Sequence, residues 1–514
     1  MHFLRMSDPS SVLPQERQLG IRHWMERVLE ECDKAGRNFA PDPVHDLRVA
    51  LRRCRSLADG MRFIDPDPGW KRMRRAGKPL FSSLGELRDT QVLQEWVERL
   101  APKDDPTASE LIGFASREEV RLKDAASFAL HKFDRKQWSD WIDHLSTRAS
   151  RMQPGGLVFQ HLALECWAQA RQLHRLVLRN RTKTSYHQLR IGLKRFRYTV
   201  ENFLPTLHAR WGEDLKELQD FLGEIHDLDL LWATAVKLKV FHDQPALERW
   251  HTIIDQERKK RVDCYRERML GDNSLWNIWR TELPAEPNVG ALARMEGWAR
   301  ALDPEPRHAR HVAALAMELY DGLCANGLLT PQFKNGRETL RTAALMHEIG
   351  RSKTKANYHK ASSGLIRKLK APLGWSAEDL ATAALLVRHH RGRFASGRPA
   401  LQRLSPEQRD FVIACAGILR LADAMDCGRK EEVHKLTVHN RGAYLEIAAL
   451  GYHSEGRLAE RIARARYPLE TFLNRPVLVR ASQYPLTLPV SSRSPSQPVL
   501  QFPVAITASK NAHT

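Results

Sequence analysis

The chain contains two copies of one pattern. His45-Asp46-Leu47-Arg48-Val49-Ala50-Leu51-Arg52-Arg53-Cys54-Arg55 returns 142 residues later as His187-Gln188-Leu189-Arg190-Ile191-Gly192-Leu193-Lys194-Arg195-Phe196-Arg197. Leu84-Gly85-Glu86-Leu87-Arg88-Asp89 returns 138 residues later as Leu222-Gly223-Glu224-Ile225-His226-Asp227. Two matches in the same order predict a duplicated unit, with about four residues lost from a connection in the second copy. On a helix, at about 100° per residue, His45, Arg48, Arg52 and Arg55 fall near 0°, 300°, 340° and 280°. They form one narrow stripe, and His187, Arg190, Lys194 and Arg197 form its counterpart. Leu47, Val49, Ala50 and Leu51 supply an apolar face for packing. One basic stripe is usually a solvated surface. The same stripe in the same setting twice points instead to a polyanion that relieves the repulsion. The acidic motif later in each copy (Glu86, Asp89, Glu224, Asp227) is expected to buttress the basic helix by ion pairs.

Charge supports this direction. There are 81 Lys and Arg against 61 Asp and Glu among 514 residues, a formal net charge of +20. Such a field attracts polyanions without specifying a fold. No apolar run approaches the roughly 18 residues of a membrane span. The first twenty residues lack a secretory core. The seven cysteines are scattered, with no CxxC pair, so neither a disulfide framework nor a cysteine zinc site is indicated. The expected location is the cytoplasm.

The length exceeds one hydrophobic core, so at least two domains are expected. From residue 10 to 270 the pattern is helix after helix, with repeats at about 40–100 and 180–240. Residues 271–306, mixing Trp276, Trp279 and Trp298 with several prolines, read as a linker with some packed structure. A second helical domain is expected over 307–430. A small α+β appendage follows at 431–482: a hairpin around Asn440-Arg441-Gly442, a helix over Glu455–Arg466 and a strand at Pro476–Arg480. Residues 483–514, rich in Ser, Pro and Thr, read as a disordered tail. The fold class is mostly α.

The duplicated pattern HxLRxxLRRxR, with LGxxxD about forty residues on, resembles the CHAD domain, the "conserved histidine α-helical domain". The resemblance implies a two-repeat helical bundle whose basic cleft binds inorganic polyphosphate. It carries the binding role to His45, Arg48, Arg52, Arg53 and Arg55, and to His187, Arg190, Lys194, Arg195 and Arg197. Arg72 and Arg75, with Lys71, Arg74 and Lys78, look like the next helix's contribution, whereas the second copy offers only Lys216 there. Single-strand nucleic-acid binders interleave basic residues with aromatic platforms. Here Tyr198 alone lies on a stripe, so nucleic acid is disfavoured, and no membrane partner is expected.

A second set of motifs follows: Arg307-His308-Ala309-Arg310-His311-Val312, Ala343-Ala344-Leu345-Met346-His347-Glu348-Ile349-Gly350, Tyr358-His359-Lys360, and Leu419-Arg420-Leu421-Ala422-Asp423-Ala424-Met425-Asp426. Histidine–carboxylate sets coordinate Mn, Fe, Co or Zn. A polar pair closing the apolar run AALM needs a partner, and a metal is one. These motifs resemble the HD superfamily, and especially the C-terminal helical domain of the exopolyphosphatase/guanosine pentaphosphatase family. That family shows AAxLHDIG, HHKHS, RYHR and LRLADALD, against AALMHEIG, YHKAS, VRHHRG and LRLADAMD here. The resemblance implies a divalent metal (Mn, Fe, Co or Mg) on His308, His347, Glu348 and Asp423, with His311 a weaker contender for the first position. It gives catalytic roles to Glu348, His359 and Lys360. Glu348 stands where the family has Asp, and Ala361 where HHKHS carries a histidine.

The expected function is polyphosphate binding by the first domain, with hydrolysis of a phosphoanhydride or phosphoester in the second. Arg351, Lys353, Lys355, Lys360, Arg388, His389, His390 and Arg391 are expected to orient substrate phosphates. The alternatives are a non-catalytic polyphosphate-granule protein with an inert second domain, and a nucleotide (alarmone-type) phosphohydrolase regulated by polyphosphate.

Overall fold

The computed structural model describes residues 20–482 apart from 304, 332 and 393–398. Residues 10–19, expected at the start of the first domain, and the tail 483–514 lie outside the described residues. The described chain is mostly α-helical.

The first helical array runs α1 (Ile21–Asn38), α2 (Pro41–Met61), α3 (Pro68–Ala76), α4 (Lys78–Leu100), α5 (Pro106–His131), α6 (Arg135–Ala149), α7 (Leu157–Asn180), α8 (Lys183–Phe203), α9 (Pro205–Leu238) and α10 (Gln244–Met269). The duplication is visible in the packing. α1 packs on α2 as α7 packs on α8; α2 on α4 as α8 on α9; α4 on α5 as α9 on α10. The change in repeat offset falls between the second and third helices of each copy. In the first copy a turn, Arg62–Asp67, separates α2 from α3, and Gly77 interrupts α3 and α4. In the second copy Leu204 alone separates α8 from α9, which then runs unbroken for 34 residues.

Both basic helices are held by a buried apolar face. In α2 this is Val44, Leu47, Ala50, Leu51, Cys54, Leu57 and Ala58; in α8 it is Leu189, Leu193, Phe196 and Val200. Proline at the first turn of α2 and α9 costs no hydrogen bond there. Thr182 caps α8 by accepting from the Ser185 amide at 3.1 Å. The helix faces join a core that includes fully buried Trp70, Trp138, Trp276 and Trp279. Truncating any one of these tryptophans to Ala is expected to cost roughly 3–5 kcal/mol.

Residues 271–306 hold two helices. α11 (Leu275–Glu282) puts Trp276 and Trp279 into the first core, and α12 (Pro287–Leu302) gives Ala291, Met295 and Ala299 to a second core. That second core is built on α13 (Pro306–Ala325), α14 (Gly336–Met346), α15 (Tyr358–Ile366), α16 (Ala377–His389), α17 (Pro399–Gln402) and α18 (Pro406–Met425). Capping boxes at Ser376/Asp379 and Ser405/Gln408 fix the starts of α16 and α18. The chain then forms β1 (Lys435–Asn440), β2 (Leu445–Leu450), α19 (Gly456–Ala465), α20 (Tyr467–Leu473) and β3 (Val477–Ser482). β1 and β2 form the hairpin, and β3 lies parallel to β2 on its other edge. Among the described residues, no helix is long and apolar enough to cross a membrane.

The two cores meet where α12 packs on α7. Arg294 and Glu165, both buried, pair at 3.2 Å, and Arg294 also lies over the Phe63 ring at 4.7 Å. His161 Nε2 donates to the Leu373 carbonyl at 3.0 Å, and Gly290 sits against His161, where a side-chain carbon would come within 2.5 Å of the His161 Cβ and 2.9 Å of its ring.

Candidate functional site

Two places concentrate chemistry. On the first array, α2 and α8 lie side by side and their stripes share one electrostatic field. Arg48 feels Arg52, Arg88 and Arg190; Lys194 feels Arg190, Arg52 and Arg48. Among the described residues, neither Arg48 nor Arg190 closes an ion pair with a carboxylate. Arg48 Nη1 and Arg190 Nε are buried with no hydrogen-bond partner. Asp89 and Asp227, one from each copy, stand within Coulombic reach without direct pairing. Glu224 turns away and accepts from Arg261 on α10 at 2.6 Å. The acidic motif therefore closes no direct ion pair with the stripe: Asp89 and Asp227 act on Arg48, Arg190 and Lys194 only at Coulombic range.

Charge crowding and burial shift the groups that can titrate. Burial, reinforced by Arg190 and Arg52, pushes the Lys194 ammonium down to about 7. Burial lifts the Asp227 carboxyl to about 6 against the pull of Arg190. Burial and Arg190 bring His226, whose ring lies 4.9 Å from that of His187, down to about 4. Burial and Arg52 also lower His45.

The structure sorts the binding residues expected from sequence. His45, Arg48, Arg52, Arg190 and Lys194 converge, with His187 beside them. Arg48 and Arg55 flank Phe81 at 5.3 and 5.6 Å, and Arg55 converges with Arg74 and Lys78 there. Arg52 and Arg197 both cover Tyr198, at 5.7 and 5.8 Å, so its ring is occupied by guanidinium. Arg53 and Arg195 go elsewhere. Arg53 donates to Glu201 and lies over Trp24 at 5.0 Å; Arg195 donates to Gln169 at 3.0 Å and lies over Phe63. One residue's step along a helix, about 100°, takes them off the stripe. Arg72 and Arg75 are exposed on α3. Arg88 and His226 join the field although only the acidic members of their motif drew attention in the sequence.

In the second core, α13, the end of α14, α16 and α18 bring His308, His347, Glu348, His390 and Asp423 together. Donor atoms of His308, His347 and Glu348 all lie within 4.8 Å of one another. His308 Nε2 is 3.3 Å from Asp423 Oδ1 and its Nδ1 is 2.7 Å from Asp426 Oδ2. His347 Nδ1 donates to the Ala344 carbonyl at 2.7 Å, which turns Nε2 toward Asp423 Oδ1 at 3.5 Å, buried and without a hydrogen-bond partner. His390 is held in the same way by the Val387 carbonyl at 2.7 Å, and its Nε2 is also orphaned. Backbone carbonyls fixing one ring nitrogen so that the other presents a lone pair is how metal-ligating histidines are oriented. The donor set fits a divalent cation.

Electrostatics at this cluster are steep. Burial would lower His308, but its hydrogen bonds to Asp423 and Asp426 outweigh that and raise it to about 10. Burial would raise Asp423, yet His308 and His347 hold it well below the usual carboxylate range. Burial takes His390 down to about 3. Glu348 has a different environment: Arg351 donates to both its oxygens, at 3.0 and 2.9 Å, and Arg429 adds a contact at 2.5 Å.

These residues open onto a cavity of about 440 Å³. Its wall carries Arg351, Lys355 and Arg391, foreseen from sequence, and Arg420, Arg429, Arg461 and Arg464, which were not. Arg391 donates to the Tyr358 hydroxyl at 2.7 Å. Of the expected catalytic residues only Glu348 lines the cavity. His359 is half-buried, its ring 6.3 Å from that of His390, and Lys360 is exposed away from the wall. His311 does not share the His308 cluster.

Comparison with known families matches residues 21–236 to the CHAD domain and residues 295–453 to Ppx/GppA phosphatase, domain III. No curated protein matches the chain. Among solved structures, the crystal structure of the CHAD domain from the plant Ricinus communis is similar at 19% identity. The match covers 48% of this chain and 88% of that one, with a TM-score of 0.38.

Proposed function

For a chain that carries a CHAD domain ahead of a Ppx/GppA-type domain III, we propose that the first holds inorganic polyphosphate and the second hydrolyses a phosphoanhydride or phosphoester. The observation that carries the first half is the meeting of Arg48, Arg52, Arg190 and Lys194 on one face, with no carboxylate paired to the half-buried Arg48 and Arg190. A row of phosphates supplies the missing counter-charge at many points along a chain, and guanidinium forks match its oxygens. Tyr198, covered by two guanidinium groups, offers no open stacking platform for bases.

In the second domain, His308, His347, Glu348 and Asp423 would hold the divalent ion, with the orphaned Nε2 of His390 beside them. Such an ion supplies Lewis-acid polarisation of a phosphoryl oxygen and a water activated for attack. The protein's own part is to bind and orient: Arg391, Arg420, Arg461 and Arg464 face the cavity, where cations steady negative charge as it develops. Whether the substrate there is polyphosphate or a phosphorylated nucleotide is decided by product analysis. A second reading has its own observation: Glu348 is already satisfied by Arg351 and Arg429, which suits an anion-binding surface without turnover.

The test is to incubate purified, metal-supplied protein with long-chain polyphosphate while following binding and released orthophosphate, beside Asp423→Ala. Release that vanishes in the variant supports hydrolysis. Binding without release leaves the first domain's role standing and favours the inert second domain. Absence of binding overturns the proposal.

A further inference from the structure

The contacts of Glu348 suggest more than a choice between a live and an inert site. Its carboxylate is buried, and its two oxygens accept from Arg351 at 3.0 and 2.9 Å and from Arg429 at 2.5 Å. Charge-assisted hydrogen bonds of this kind draw electron density from the oxygens a cation would need. Two guanidinium groups also place positive charge against the carboxylate that such a cation would need. Yet neither arginine is locked in. Both line the cavity and keep about a third of their side-chain surface exposed, 32% for Arg351 and 27% for Arg429. Each has other support. Arg351 lies over the Tyr358 ring at 5.5 Å, and Arg429 also pairs with Glu305.

We propose that an oxyanion entering the cavity takes over Arg351 and Arg429, releases Glu348 toward His308 and His347, and thereby tightens binding of the divalent cation. This rests on the metal reading of the cluster and adds its regulation. Free energy linkage then runs both ways: the cation must tighten the anion by the same factor. Arg391, Arg420, Arg461 and Arg464 supply the attraction that brings the anion in. The site loads as a pair, and a cation alone meets a carboxylate that is already engaged.

The experiment is equilibrium dialysis of the full chain against Mn²⁺, with and without saturating sulfate at constant ionic strength. Sulfate is the probe because it presents a compact oxyanion and complexes Mn²⁺ weakly. The expected result is an Mn²⁺ dissociation constant lower by about fivefold or more in sulfate, within the usual range of coupling. Arg429→Gln should bind Mn²⁺ tightly without sulfate and lose the dependence on it. Arg351→Gln should do the same to a smaller degree, and decides the matter if the first variant fails to fold. A sulfate-independent constant in the native protein overturns the proposal, as does weaker Mn²⁺ binding by a variant that melts at the native temperature. If neither the native protein nor the variants retain more Mn²⁺ than His347→Ala at any sulfate level, the metal reading itself falls.

Discussion

The two basic regions are built on opposite plans. On α2 and α8 Arg53 and Arg197 share Glu201, but Arg48 and Arg190 close no carboxylate ion pair, and Arg48 Nη1 and Arg190 Nε are buried and unbonded. In the second domain the arginines nearest the histidines are already engaged, with Glu348 and Glu305 as their acids. On the proposed reading an outside polyanion supplies the rest of the first region's counter-charge, so affinity for polyphosphate should rise with chain length and fall with salt. In the second, Arg351 and Arg429 are already paired with Glu348, and on the proposed reading an incoming ligand displaces those contacts. On the proposed reading, a large positive charge would serve capture in one place and exchange in the other.

The sharpest way to break that contrast is to reverse the charge of the first region. Arg48→Glu combined with Arg190→Glu should weaken polyphosphate binding by more than about a hundredfold, since each hydrogen bond to a charged group is worth roughly 1.5–3 kcal/mol. Fluorescence anisotropy with labelled polyphosphate in moderate salt measures it. An unchanged affinity would show that the stripe is only a solvated face. In the second region, Asp423→Ala removes the carboxylate shared by His308 and His347, and Mn²⁺ retention measured after gel filtration should be lost. The join between the regions is tested by Glu165→Gln, which leaves Arg294 buried without its acid. A loss of roughly 3–5 kcal/mol is expected, read by denaturant unfolding.

A subtler effect is pH dependence. Lys194, brought down to about 7, loses its charge as pH rises through that value, while Asp227, lifted to about 6, gains a negative one. Both changes oppose an anion. Polyphosphate affinity should therefore increase from pH 8 toward pH 5.5, with net proton uptake detectable by calorimetry in two buffers of different ionisation enthalpy. Lys194→Arg should flatten the upper part of the profile and Asp227→Asn the lower. The smallest effect separates the repeats themselves. A Cβ on Gly85 would meet Arg48 Nη1 at 2.7 Å, whereas one on Gly223 meets nothing within 4 Å. Gly85→Ala should lower affinity several-fold by displacing that guanidinium. Gly223→Ala should leave binding alone and stabilise α9 by about 0.5–1 kcal/mol, seen in thermal melts.

What the sequence showed of these sites follows from how each is assembled. The stripe was legible because helical periodicity places four residues of one segment on one side, and duplication repeats the message. Arg53 and Arg195 share the family pattern with the stripe, but the helix turns them about 100° from their neighbours, toward Glu201 and Gln169. His308, His347, Glu348 and Asp423 could be found because each lies in a short motif. Arg420, Arg429, Arg461 and Arg464 could not, since they come from α18, the segment after it and α19, and only the tertiary fold brings them to one wall. Asp426 was quoted in its motif, but nothing local says that its carboxylate reaches back 118 residues to His308. The two helices within 271–306 were obscured by prolines that, at α12, simply start the helix.

The unequal connections of the two copies have a mechanical meaning. α9 is a single rod, about 50 Å long at 1.5 Å per residue, whereas its counterpart is divided at Gly77 into a short arm and a longer one. One copy therefore carries a continuous rod and the other an interrupted one, although hydrogen bonds from Gly77 N to Met73 O and from Phe81 N to Gly77 O still bridge the break. Were polyphosphate held as proposed, the two copies would meet it with unequal supports, and its two directions along the face would not be equivalent.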